Sequence, residues 1–171
     1  METYDLSPVA KNKTVSVAFY RNVKNAKELK ELAMRDTVQA SFVKASMIAD
    51  VLQIKAAAAK GFHLQAVGKI KTKTLHSEMI FNLSPSNKIS DCFQLFGLKD
   101  TSTDVVAVTL DVAENEKVLN CVVGDLVSVS LLQDLCDKPA IKKLYKITDE
   151  ELKVCSFLDC ILSQMAAKDI R

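Results

Sequence analysis

Few residues in this chain are equipped for bond chemistry. His63 and His76 are its only imidazoles, and nucleophilic catalysis needs an activated Ser, Cys or Lys with a base in reach. Neither histidine lies in a recognisable local signature. His63 falls among apolar helix formers, as a surface histidine or a satisfied core histidine would. His76 falls among basic and hydroxyl residues, where an anion contact is open to it. Cys92, Cys121, Cys136, Cys155 and Cys160 are irregularly spaced and form no C-x-x-C pair, so they suggest neither a zinc knuckle nor a redox couple. They read as buried or half-buried thiols. There is no G-x-x-x-x-G-K-[ST] loop and no G-x-G-x-x-G, and four glycines supply little backbone for cradling a nucleotide phosphate. Asp149, Glu150 and Glu151 cluster at a helix start, where the macrodipole favours negative charge. The expectation is therefore no catalytic residue, no metal site and no cofactor. The alternative is an enzyme of unrecognised type, with His63 or His76 as general base and a cysteine as nucleophile.

Two other patterns suit holding a partner. Lys69, Lys71 and Lys73 precede Thr74, His76 and Ser77, which places three cations just before a helix whose first N–H groups also attract anions. This is either a phosphate-contacting edge or a solvated basic turn. Near the end of the chain, Val154, Leu158, Ile161 and Met165 form one apolar stripe, and Cys155, Leu162 and Ala166 form its neighbour. More of that helix is apolar than one core-facing stripe requires. The excess is either a partner-binding face or fully buried.

The elements that position these residues follow from periodicity and capping. Residues 13–20 alternate polar and apolar, as a half-buried strand does. Asn25 with Glu28 offers a cap for a helix carrying Leu29, Leu32 and Ala33 through Arg35. Asp50 caps a helix reaching Val67, in which Ala56, Ala57, Ala58 and Ala59 leave one turn almost without bulk, so another element can approach and the helix should be central. Gly68 ends it. Leu75, Met79 and Leu83 mark a short helix, and a Ser84-Pro85-Ser86-Asn87 turn separates it from another with Ile89, Cys92, Phe93 and Phe96, closed by Gly97. Residues 105–110 read as a buried strand between Asp104 and Asp111, and Val122, Val123, Val127 and Val129 as weaker strand or loop pieces. Pro139 sits in the first turn of a helix over residues 138–145. Thr148 with Glu151 forms a capping box for a last helix of roughly five turns, residues 152–167.

The 171 residues, 49% hydrophobic and 26% charged, have a globular balance without linker composition or internal repeats. The expected fold class is α/β (α+β): a single domain, a small β-sheet packed with several helices and a long C-terminal helix. The formal net charge of +2 is too small for the whole surface to bind a polyanion, so any nucleic-acid contact is local. The odd cysteine count, with no basic-then-apolar leader over residues 1–10, points to a reducing compartment, cytosol or nucleus. No window approaches the ~20 consecutive apolar residues of a membrane span.

Val23-Lys24-Asn25-Ala26 and, more densely, Gly68-Lys69-Ile70-Lys71-Thr72-Lys73-Thr74-Leu75 with Glu78, Ile80, Phe81, Asn82, Leu83, Ser84 and Pro85 resemble a known family. So do Ile89-Ser90, Phe96-Gly97, Lys142-Lys143-Leu144-Tyr145-Lys146 and Ala167-Lys168-Asp169. This is the PRPK-binding protein family, the small kinase-binding subunit of the KEOPS (EKC) complex. The resemblance covers nearly the whole chain and fades over residues 111–137 and before Lys13. It implies an α/β fold and a non-catalytic subunit that binds a small atypical kinase/ATPase. The other subunits of that complex, which makes threonylcarbamoyladenosine in transfer RNA, are met indirectly. The resemblance also implies contact with transfer RNA, including its single-stranded 3′ end, which matches the Lys69, Lys71, Lys73, Thr74, His76 and Ser77 edge. It gives the kinase-docking role to the C-terminal helix with Val154, Leu158, Ile161, Leu162 and Met165.

Overall fold

The computed structural model describes residues Met1–Ile170. Its centre is a five-stranded antiparallel sheet. Strand β2 (Thr14–Arg21) pairs along one edge with β4 (Val105–Thr109), from Ser16↔Thr109 to Tyr20↔Val105. Strand β3 (Ser41–Lys44) closes that side, from Ser41↔Val108 to Lys44↔Val105. The opposite edge of β2 is shared by β1 (Glu2–Asp5) in its first half and β5 (Asp125–Val127) in its second. All these pairings are antiparallel, so the domain is α+β.

Helices cover both sheet faces, and side-chain alternation divides the strands between them. Val15, Val17, Phe19, Val106 and Val108 face the larger core. This is built by α2 (Val51–Ala66), α3 (Leu75–Leu83), α4 (Ile89–Phe96), α7 (Lys138–Tyr145) and α9 (Phe157–Ala166). Ala18, Tyr20, Phe42, Val105 and Ala107 face a smaller core with α1 (Ala26–Met34) and α5 (Asn115–Cys121). The one-turn helices α6 (Leu132–Leu135) and α8 (Glu151–Val154) link the later segments.

Several expectations hold closely. Asp50 caps α2 by accepting from the Leu52 amide at 2.7 Å. The helix is central, with Ala57 and Ala58 fully buried and the Ala57 carbonyl accepting from Asn82 Nδ2 of α3 at 3.3 Å. A buried relay then joins three helices: Gln53 Nε2 donates to the Tyr145 hydroxyl at 2.9 Å, which donates to the Leu83 carbonyl.

Three features depart from what the sequence showed. The alternating strand is buried on both sides, not half-buried. Ser16, on the polar register, is covered but satisfied by Thr3 Oγ1 at 2.8 Å and Asn115 Nδ2 at 3.0 Å. Second, β1, β3 and α5 lie in segments too short or too polar to show a period. Third, the long C-terminal helix is broken. Thr148 and Glu151 do form their capping box, but the helix it starts lasts one turn. Cys155 is extended, and a second box, Ser156 with Asp159, starts α9. Ser156 competes for the Asp159 amide, 3.1 Å away, which makes it a better helix start than a helix interior.

Candidate functional site

The basic edge is a loop held from both ends. At the end of α2, Gly68 adopts φ +67, the Gly68 amide donates to Gln65 O at 3.1 Å and the Lys69 amide to Leu64 O at 2.8 Å. This paired closure uses a left-handed residue that glycine takes without strain. At the start of α3, Thr74 accepts from the Ser77 amide at 3.1 Å, and the two hydroxyls lie 2.9 Å apart. Between these ends the fully buried carboxylate of Glu78 does the holding. Its Oε2 accepts from the Lys71 amide at 3.0 Å, the Thr72 amide at 2.9 Å and the Thr72 hydroxyl at 2.8 Å. Glu78 is a site residue that charge patterning did not single out, because a glutamate in the first turn of a helix ordinarily serves the dipole.

The six residues proposed for this edge divide. Lys69, Lys71 and Lys73 are exposed on the loop, and Lys69 and Lys73 carry no ion pair among the described residues. Lys71 pairs with Asp169 at 3.3 Å. Thr74, His76 and Ser77 instead border an apolar cleft of about 350 Å³, walled by Met34, Val38, Phe42, Ile80, Phe93 and Leu98. His76 Nε2 is buried there without a hydrogen-bond partner. Burial pushes its pKa down, against the opposing pull of Asp36, Glu114 and Asp111. His76 thus stands in the cleft wall with a ring that burial shifts toward its neutral form. His63 is exposed on α2. Burial raises the thiol pKa of Cys121 and of Cys136, the opposite of what an attacking thiolate needs.

The C-terminal stripe divides as well. Ile161 is fully buried and Met165 is 4% exposed, both within the larger core. Val154 is 83% exposed on α8, separated from the stripe by the break at Cys155. Leu158 and Leu162 are half-buried. The apolar stripe is therefore one core-facing line plus an adjoining line, in which Leu162 reaches the surface. There α9 and α2 flank an open groove of about 640 Å³, lined by Leu52, Ala56 and Ala59 from one side and Leu162, Met165 and Ala166 from the other. Lys55, Lys60 and His63, with Asp5 at the end of β1 and Leu6, Ser7 and Val9 from the segment after it, complete the lining. Leu52, 43% exposed, and the two alanines were not among the expected site residues. The sequence signal for them was the alanine run, whose small side chains leave the room.

Comparison with known proteins places this architecture. The model of the family described as "Kinase binding protein CGI-121" matches residues 20–169. The chain is 38% identical over 161 residues to the "EKC/KEOPS complex subunit TPRKB" of Danio rerio, covering 92% of each. It is 31% identical over 170 residues to the "EKC/KEOPS complex subunit cgi121" of Schizosaccharomyces pombe, covering 94% of this chain and 97% of the relative. A relative of the same description from Aspergillus fumigatus is 31% identical over 158 residues, covering 86% of this chain and 84% of the relative. With the match running from the end of β2 through the basic edge, α2 and α9, the chain belongs to the CGI-121 family of kinase-binding proteins.

Proposed function

We propose that this chain is a non-catalytic adaptor of a KEOPS (EKC) assembly. The α2/α9 groove docks a PRPK-like kinase. The edge carrying Lys69, Lys71 and Lys73 holds transfer RNA, its 3′ end included, during threonylcarbamoyladenosine modification. The observation that carries the reading is the groove itself: an open apolar trough between two helices, on a protein whose family is described by kinase binding. A groove between two helices with apolar walls is a form that partner helices use. For RNA, the support is a local set of exposed lysines on a nearly neutral chain, beside a cleft whose Phe42 and Phe93 walls suit an unpaired base. The transfer chemistry then belongs to another subunit, contacts with the remaining subunits run through the kinase, and the site of action is the cytoplasm and nucleus.

Co-expression with the PRPK-like kinase of the same source, followed by size-exclusion chromatography, tests the docking. The two chains should elute together, and Leu52→Glu with Leu162→Glu, in a protein that melts normally, should separate them. Co-elution that survives both substitutions removes the groove from the reading.

A further inference from the structure

The C-terminal 3-10 turn, Ala167–Ile170, lies against the basic edge and meets it with a single carboxylate. One oxygen of Asp169 is 2.6 Å from Lys60 Nζ and the other is 3.3 Å from Lys71 Nζ. A two-oxygen anion bridging two ammonium groups is also the arrangement that a phosphate makes with a lysine pair. A third ammonium stands close by: Lys168 is buried, its Nζ lies 3.2 Å from the centre of the Phe81 ring, and Lys71 Nζ lies 5.6 Å from the same centre. Glu78, the other carboxylate at this loop, gives its Oε2 to the amides of Lys71 and Thr72. Without Asp169, Lys60 and Lys71 would stand without a carboxylate partner among the described residues.

The hold on this turn is weak where Asp169 sits. The Asp169 side chain is 42% exposed and that of Lys71 49%, so water screens that pair and it adds little, while the Lys60 side chain is 24% exposed. Ile170 is 87% exposed and contributes little burial. The firmer anchors are one residue earlier, where Asn87 Nδ2 donates to the Lys168 carbonyl at 3.0 Å and Lys168 Nζ donates to the Phe81 carbonyl. The turn is thus buried at Lys168 and held by two ion pairs at Asp169.

We infer that Lys60 and Lys71 form a phosphate site that Asp169 occupies in cis, making the C-terminal turn a displaceable cover that a nucleic-acid phosphate must move aside. This rests on the reading that the lysine edge holds RNA, and it adds a regulatory step to that reading. Apparent affinity is lowered by the fraction of time that the cover is closed.

The experiment compares wild type and Asp169→Asn, both confirmed as folded by thermal melting, with two probes: inorganic tripolyphosphate by calorimetry and a nine-nucleotide unstructured RNA by fluorescence anisotropy. Opening the cover should tighten both by roughly fivefold, the fold-change that matches release of a partly exposed ion pair. The RNA salt slope should steepen by about 0.7 for each phosphate gained. Adding Lys71→Ala to Asp169→Asn should cancel the gain. In wild type, tripolyphosphate should speed amide exchange at residues 169–170, a readout that needs no variant. If Asp169→Asn leaves tripolyphosphate affinity unchanged or weaker, or if exchange does not respond in wild type, the cover is overturned. If tripolyphosphate binding tightens while RNA binds neither protein, the cover stands and the RNA reading fails.

Discussion

Ile161 and Leu162 are adjacent on α9 and similar in chemistry, yet the structure gives them opposite duties, and separating those duties experimentally tests the whole orientation of the helix. Ile161 is fully enclosed by the larger core, whereas Leu162 is half-buried on the groove. Truncating Ile161 to Ala removes three carbons from a close-packed site and should cost about 3 kcal/mol through reduced burial and a residual cavity. For a domain of this length, that is a fall in Tm of roughly 6–12 °C. Below the transition the folded fraction should bind the kinase as wild type does. Leu162→Glu should do the reverse. The new carboxylate can reach water in the free protein, so Tm should move by less than about 4 °C. Docking would bury it in an apolar trough, and removing an anchor worth at least about 2 kcal/mol is a loosening of roughly 30-fold or more. Differential scanning fluorimetry gives the first pair of values, and calorimetry against the purified kinase at a temperature of about 15 °C, well below both transitions, gives the second. If folded Ile161→Ala failed to bind the kinase while Leu162→Glu still bound it, α9 would be rotated from the position described and the groove would not be the dock.

Changing Lys69, Lys71 and Lys73 together to Ala should weaken binding of single-stranded RNA and flatten its salt dependence by about 0.7 for each phosphate no longer neutralised; an unchanged slope excludes the loop. Glu78→Ala should destabilise the fold by about 2 kcal/mol in urea titration, since the Lys71 and Thr72 amides are left without their acceptor inside the protein, and Glu78→Gln should cost less because an amide oxygen still accepts. The third prediction concerns pH. Desolvation lowers the Lys168 pKa to about 8, below the ordinary lysine value. Between pH 8 and about 10.4 the unfolded chain therefore keeps a proton that the folded chain has released, so this residue's contribution to stability rises with pH and its penalty is full below pH 8. Tyr4 and Tyr20, pushed up to about 12, act oppositely above pH 10, so the measurement is the difference between wild type and Lys168→Met in urea at about pH 7.5 and about pH 9.5, on either side of the folded-state value. Wild type should gain on the variant with rising pH, and a constant difference would place the Lys168 ammonium in water.

Much of the chain could be read before its fold was known. The capped α2, the turn between α3 and α4, the buried β4 and the Thr148–Glu151 box all rest on local interactions within a few residues, and those act on the chain whatever the rest of it does. The resemblance carried by residues 68–85 was equally a property of the line of residues. Helical spacing also located an apolar excess near the end of the chain, but spacing fixes only the angle between side chains, not which angle points inward. Ile161 lies inward because α2 and α7 pack beneath it, and Leu162, one residue on, is left at the surface. The break at Ser156 shows how two valid local starts divided what one period joined.

The lysine edge marks the same boundary from the electrostatic side. Three alternating lysines were evident in the sequence, but their two carboxylate partners were not equally visible. Glu78 is near enough in sequence to be suspected. Asp169 is almost a hundred residues from Lys71, and only the path of α9 across α2 brings the two together. Composition and local order determined what the chain could hold; the packing of its last helix decided which apolar side chains face a partner, and which cation already has one.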